Sequence, residues 1–370
     1  MMAKRSTHRV RLADVAADAD VSITTASVIL SGRPENLKQF HPDTISKVLR
    51  SASRLGYSAN LFASGLPSAA APFFALIIHQ VGRRDTADWY LWGFEGDLLG
   101  GVVRSAAESG LYPIVERIDP DSGQASLRSV EQIIAGGVSG AIVRSPGPIL
   151  EKYLRARIRR GQPIVVVFPN RLAGWRSNAI DVDNAAVGET AAMLLALQGR
   201  RRWLLLRPRK RVEAQLLRCE GFLRIAKSVN AAVETIEVPW AACESFTSAR
   251  NYLVRRLEGT SFDGIFGAES AVSIGSLLAE LKRGRKPGED FNLVGCDCAP
   301  WHSPPLPQIT CVDISWRDVG TTAVRMLTQL ASRGQSRFET ILMKPRVVAA
   351  QTCPAPSDAV IDSSRGSLTL

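Results

Sequence analysis

The sequence predicts a small all-α unit followed by an α/β body of two Rossmann-like lobes, and three observations point there. Apolar residues recur at helical spacing up to residue 57; from Phe74 onward, apolar runs of strand length alternate with amphipathic helical segments; and a small, uncharged, Pro-punctuated stretch, GLPSAAAPF (65–73), lies between them. A chain of 370 residues, 45% of them hydrophobic, is long enough to bury more than one core.

The first unit starts with a short helix whose apolar face carries Leu12, Val15 and Ala16. Asp18, Ala19 and Asp20 interrupt it, and because Asp enters left-handed backbone conformations cheaply, a tight turn belongs there. Ser22 is a good N-cap for the next helix, with Val21 before it able to pack on Ala26. On that helix Ala26, Ile29 and Leu30 share one face, while Ile23, Thr24, Ser27 and Val28 lie toward another. A third helix runs from Pro42 to just before Gly56, with Ile45, Val48, Leu49 and Leu55 facing inward. Two readings of the second helix remain open on spacing alone: a surface helix closing a three-helix core, or the reading helix of a helix-turn-helix, one face packed inward and the other entering a major groove.

In the body, nine runs read as strands: FFALIIHQV, YPIVERI, SGAIVRS, PIVVVF, AIDVD, RWLLLRP, VETIEV, FDGIFGA and FNLVGCD. Strands and helices alternating with short turns make parallel sheets from βαβ units. Nine exceed one lobe, and the pattern restarts near residues 170–190, so two similar lobes are expected, with ligands bound between them at the carboxyl ends of strands. The tail after Pro354, APSDAVIDSSRGSLTL, is polar and expected to be loose.

The net charge of +11 favours phosphate-bearing or otherwise acidic partners. All six cysteines lie in the second half without a Cys-x-x-Cys pair, as in reduced proteins; Cys296, Cys298 and His302 form a local cluster that lacks the second half of a metal site, so no metal is expected. No run is long enough to span a bilayer, and the basic N-terminus lacks the apolar segment of a secretory signal, which points to the cytoplasm. Catalysis finds no support: there is no G-x-S-x-G, Walker-type loop or G-x-G-x-x-G after a strand, and the four histidines are scattered. No catalytic residue and no cofactor are expected.

The segment RLADVAADADVSITTASVILSG…HPDTISKVLRSASRLGYSANLFASGL resembles the DNA-binding region of the lactose-repressor/galactose-repressor (LacI/GalR) family of bacterial transcription regulators, through Asp14, Val15, Ala16, Val21, Ser22, Thr25, Ser27, Leu55, Gly56, Tyr57, Asn60 and Leu66. Later landmarks fit the family's effector domain, which resembles periplasmic sugar-binding proteins: IDVDNAAVGETAAMLLALQGRRRWLLL, RCEGF, LVGCDC and ITCVDISWRDVGTTAVRML. The chain departs from the pattern at Asp20, where a turn glycine is usual, at Val28, where many members carry a base-contacting arginine, and at Glu269 and Ser270, where Asn-Asp is common.

The resemblance implies a helix-turn-helix DNA-binding domain (1–58), a hinge helix and linker (59–72), a two-lobed ligand-binding and dimerisation domain (73–353) in which the chain crosses between lobes three times, and a tail (354–370). It implies a homodimer that reads a near-palindromic double-stranded operator on the nucleoid, as a repressor under the control of a sugar-like effector. Ile23, Thr24 and Val28 should face base edges, Ser22, Thr25 and Ser27 contact phosphates, and Leu66 enter the minor groove. Effector contacts are expected from Arg218, Asp297, Glu269, Trp240 and Trp316, with Asp88, Trp89 and Arg144 added; Arg144 and Arg171, at strand ends, would suit an anionic group. The rival readings are a cytoplasmic solute-binding sensor without DNA binding and an α/β enzyme acting on a sugar or nucleoside.

Overall fold

The computed structural model describes residues 10–30, 37–55, 57, 72–79, 89–118, 124–135, 137–169, 176–209, 213–297, 307–333, 337–354, 360–362 and 367–369. The chain separates into two compact units, Met1–Pro72 and Phe73–Leu370.

Among its described residues the first unit holds three helices, α1 (Leu12–Asp18), α2 (Ile23–Leu30) and α3 (Pro42–Leu55). The turn between α1 and α2 places Asp20 at φ 53°, the left-handed conformation that its short polar side chain tolerates. Ser22 Oγ accepts the Thr25 N–H at 3.0 Å and caps α2. Val15, Ala16, Ala26, Ile29, Val48 and Ala52 are buried together in the core. Ser51 of α3, also buried, donates from Oγ to Asp18 Oδ2 (2.5 Å), and Arg54 pairs with the same carboxylate. These two contacts, the Ser51 bond first, hold Asp18 below the usual carboxylate range. One expectation fails: Leu49 is 50% exposed. At about 100° per residue the inward stripe runs through Val48, Ser51 and Ala52, and Leu49 falls at its edge.

The second unit carries two six-stranded sheets. The strands are β1 (Phe73–His79), β2 (Tyr112–Ile118), β3 (Ala141–Arg144), β4 (Ile164–Val167), β5 (Asn178–Val182), β6 (Arg202–Pro208), β7 (Ala232–Val238), β8 (Gly264–Gly267), β9 (Asn292–Cys296), β10 (Thr310–Asp313), β11 (Thr340–Met343) and β12 (Arg346–Val348). The first sheet has the order β11-β5-β4-β3-β1-β2 and is parallel throughout; the second has the order β12-β10-β9-β8-β6-β7, with only β12 antiparallel. All nine strands expected from the apolar runs are present, and β10, β11 and β12 are additional. The tail is not wholly irregular, because Val360–Asp362 (β13) and Ser367–Thr369 (β14) pair as an antiparallel ribbon.

Near-continuous apolar strands follow from coverage on both faces. In β1, Phe74, Leu76 and Ile78 enter one core while Ala75 and Ile77 enter another; in β6, Trp203 and Leu205 share the first of these cores, and Leu204 and Leu206 enter a third. The helices that build these layers are α4 (Trp89–Glu108), α5 (Gln124–Ala135), α6 (Pro148–Arg159), α7 (Asn184–Leu197), α8 (Glu213–Ser228), α9 (Phe246–Arg256), α10 (Ser270–Lys282) and α11 (Trp316–Arg333). The chain passes between sheets at three places: after β5, after β10 and between β11 and β12.

Each lobe has one close helix crossing made by a reciprocal glycine pair. A Cβ on Gly188 of α7 would collide with the Arg218 carbonyl of α8, and one on Gly221 with the Ala185 carbonyl; Gly101 of α4 and Gly320 of α11 stand likewise against the Arg317 and Leu98 carbonyls. Backbone cannot yield as a side-chain end can, so Gly188→Ala is expected to destabilise the second unit by about 1–3 kcal/mol, and to lower its Tm by several degrees in a thermal melt. An unchanged Tm would mean the helices separate freely at this crossing.

Candidate functional site

The outer face of α2 is the first candidate. Ala26 and Ile29 are buried inward, whereas Thr24 and Ser27 are exposed, Ile23 is 55% exposed and Val28 is half-buried. The Ser22 hydroxyl lies 2.8 Å from the Thr25 hydroxyl and serves the helix cap. Leu66 lies outside the described residues.

The second candidate is a cavity of about 250 Å³ in the second unit, lined at strand ends by Ser145, Phe168, Pro169, Asp181 and Val182, and elsewhere by Asn184, Glu213, Ala214, Leu217, Arg218, Ile314 and Trp316. Ser145 follows β3 at φ 45° and Phe168 follows β4 at φ 56°. Such backbone is costly for residues with a Cβ and persists where the surroundings fix it, which favours ligand sites. Hydrogen bonds do so here: the Ser145 N–H donates to Val167 O and the Phe168 N–H to Ile180 O, both at 2.8 Å. Phe168 meets Trp316 edge-on, with centroids 4.9 Å apart.

At the cavity wall Arg218 is a hub. Its Nε donates to Asn184 Oδ1 at 2.9 Å, and Nη1 lies 2.9 Å from Asp297 Oδ2, 3.0 Å from Cys296 Sγ and 3.2 Å from the Ala268 carbonyl. Burial opposes the charge, but the Asp297 carboxylate and Cys296 together more than offset it and hold Arg218 above its ordinary pKa. Asp297, at φ 56°, keeps its second oxygen, Oδ1, buried and, among the described residues, without a hydrogen-bond partner. Arg144 is paired as well: Nη1 lies 3.1 Å from Glu95 Oε1, and its guanidinium sits 5.3 Å from the Trp316 ring centroid. Burial lowers its pKa and Glu95 opposes the shift.

Glu269 caps α10, its carboxylate accepting the Val272 N–H at 3.4 Å. Desolvation, reinforced by nearby Asp297, pushes it up to about 7 from an ordinary 4.5, against the backbone donors and Arg218. A carboxyl raised on folding contributes stability fully below about pH 4.5 and loses it as pH rises through about 7. Denaturation midpoints measured from pH 5 to 8 are therefore expected to fall more steeply for the native protein than for Glu269→Gln, whose amide oxygen still accepts from Val272; parallel curves would overturn the assignment.

Of the residues expected at the effector site, the structure brings Arg218, Asp297 and Trp316 together, with Arg144 behind Trp316 and Glu269 beside Asp297. Trp240 does not join them: it lies in a 3₁₀ turn after β7 and packs on the core formed by Leu204, Leu206 and Ile236, outside the cavity lining. Arg144 pairs with Glu95. Asp88 and Arg171 lie outside the described residues, and Trp89 opens α4. Asn184, Asp181, Phe168, Ser145 and Glu213 were not anticipated, although Asn184 stands in the quoted IDVDN segment. Of the Cys296, Cys298 and His302 cluster, only Cys296 is described; among the described residues no group of three His, Cys, Asp or Glu side chains is placed to hold a metal, and no helix is long and apolar enough to cross a membrane.

Comparison with known proteins places residues 191–353 in the periplasmic binding protein-like domain family. Over most of its length the chain is similar to the HTH-type transcriptional regulator MalR of Streptomyces coelicolor, with 24% identity covering 94% of this chain and 98% of that protein. It is similar to the regulator pepR1 of Lactobacillus delbrueckii subsp. lactis, with 26% identity over 93% of this chain and 97% of the relative. Among solved structures, the lac repressor dimer bound to operator and the anti-inducer ONPF superposes with a TM-score of 0.74 at 20% identity, covering 94% of this chain and 99% of that one. The transcriptional regulator CelR in complex with cellobiose gives 0.61 at 20% identity, covering 93% and 100%.

Proposed function

We propose that the chain is a member of the LacI/GalR family of bacterial transcription regulators, a DNA-binding repressor whose second unit senses a small sugar-like effector. The observation that carries this reading is the presence in one chain of a helix-turn-helix whose outward face exposes Ile23, Thr24 and Ser27 and a separate two-lobed unit with an aromatic-lined cavity. The protein acts as a homodimer on a near-palindromic operator, in the cytoplasm. Residues 1–58 bind DNA, 59–72 form the hinge and 73–353 bind effector and partner subunit. Ser22, Thr25 and Ser27 lie against phosphates and Ile23, Thr24 and Val28 against bases.

In the cavity Trp316 and Phe168 offer planar apolar surface to a sugar ring, while Asn184 and Arg218 supply hydrogen bonds and Asp297 holds Arg218 from behind. Because both Arg218 and Arg144 are already paired with carboxylates, the effector is uncharged. Regulation follows as a population shift: effector binds one arrangement of the lobes more tightly, and that difference sets how much of the dimer grips the operator.

Binding-site selection with the purified protein at two salt concentrations, with and without neutral mono- and disaccharides, tests this reading. The expected result is a near-palindromic motif whose affinity falls steeply with salt, because bound phosphates release counterions, and falls again with one of the sugars. Sugar binding without any enriched DNA would favour the solute-binding sensor instead.

A further inference from the structure

The outer face of α2 is uncharged. At about 100° per residue, Ile23, Ser27, Thr24 and Val28 occupy one arc of roughly 140°, and the helix ITTASVIL contains no acidic or basic residue. The surrounding unit is the opposite: residues 1–57 hold nine Lys or Arg against five Asp or Glu, and Arg11, Lys38, Lys47, Arg50 and Arg54 are all exposed. A cationic unit therefore presents an aliphatic face to whatever its charge attracts. In a major groove, guanine offers two acceptors that an Arg or Lys would bridge, and adenine an acceptor–donor pair that an Asn or Gln would bridge; α2 has none of these. The one apolar group on the groove floor is the C5-methyl of thymine. An aliphatic side chain set against guanine instead would strip water from O6 and N7 and return no hydrogen bond.

We propose that α2 reads its operator chiefly through thymine methyl groups, with Ile23, Thr24 and Val28 as the reading residues. The inference rests on the DNA-binding reading above and specifies what that helix recognises. Ile23, at 55% exposure, gains most, since solvent-exposed aliphatic surface on a helix of this kind is covered only in the complex. The Thr24 hydroxyl adds a single hydrogen bond that any base edge accepts and so discriminates weakly.

The test uses the full-length protein and two random duplex pools, one synthesised with thymine and one with uracil, which differs only in lacking the C5-methyl. The thymine pool is expected to yield a palindrome with thymine at the positions facing α2. Replacing one symmetric pair of these with uracil should weaken binding about 15-fold, from about fourfold per buried methyl in each half-site. The same replacement outside the half-sites should change nothing. Ile23→Ala and Val28→Ala should each lose the uracil penalty at one position, and Val28→Arg should select guanine there and ignore uracil. A motif with guanine or cytosine at the facing positions, or equal binding to thymine and uracil duplexes, overturns the methyl reading while leaving DNA binding intact. No enrichment from either pool overturns the DNA-binding reading and the proposal with it.

Discussion

Replacing Arg218 with methionine is expected to destabilise the second unit by about 3–5 kcal/mol, because it removes the cation from a buried carboxylate and leaves Asp297 uncompensated. For a unit of this size that corresponds to a fall in Tm on the order of 10 °C. Adding Asp297→Asn should restore part of the stability at neutral pH, since the pair is coupled and the amide carries no charge to bury. Neither variant should bind the effector with native affinity, because Arg218 also orients Asn184 at the cavity wall. A Tm within a degree of the native value would show that the Arg218–Asp297 pair contributes little to the stability of this unit.

This hub illustrates how far the sequence was readable. Arg218 and Asp297 lie 79 positions apart and are linked by no spacing rule; each became a candidate only through a motif, RCEGF and LVGCDC, and their pairing required the fold. Ser145 and Phe168 escaped because their contribution is backbone shape: left-handed φ at a serine and a phenylalanine has no residue signature, unlike Asp20, whose chemistry announced its turn. Trp240 shows the converse, since an indole that can stack on a sugar can equally fill a core. The nine apolar strands were legible because helices cover both faces of parallel sheets. β11 and β12 were not: they lie at sheet edges with side chains exposed or half-buried, and only Lys344 and Pro345 separate them, without a helical segment between to mark the alternation. β10 is buried but spans only TCVD, too polar to stand out beside the helix after it.

The same contrast between packing and recognition can be measured on α2, where Ile29 and Ile23 are six residues apart and opposite in role. Ile29 is 1% exposed in a core of few large side chains, and Ile29→Ala is expected to cost about 2–5 kcal/mol. A unit of some 60 residues has little more than that to lose. The three helices should then be largely unfolded at 37 °C, and binding should fail on every duplex, specific or not, because the scaffold that presents the cations is gone. The second unit should melt as in the native protein, since its cores contain no residue of the first. Ile23→Ala, at an exposed position, should change stability by less than about 0.5 kcal/mol and leave nonspecific binding and its salt dependence intact, yet lower specific affinity. Circular dichroism of each variant, with titrations on operator and random duplex at two salt concentrations, separates the two. Equal loss of specific and nonspecific binding in Ile23→Ala, with helicity retained, would move Ile23 from the bases to the backbone of the DNA.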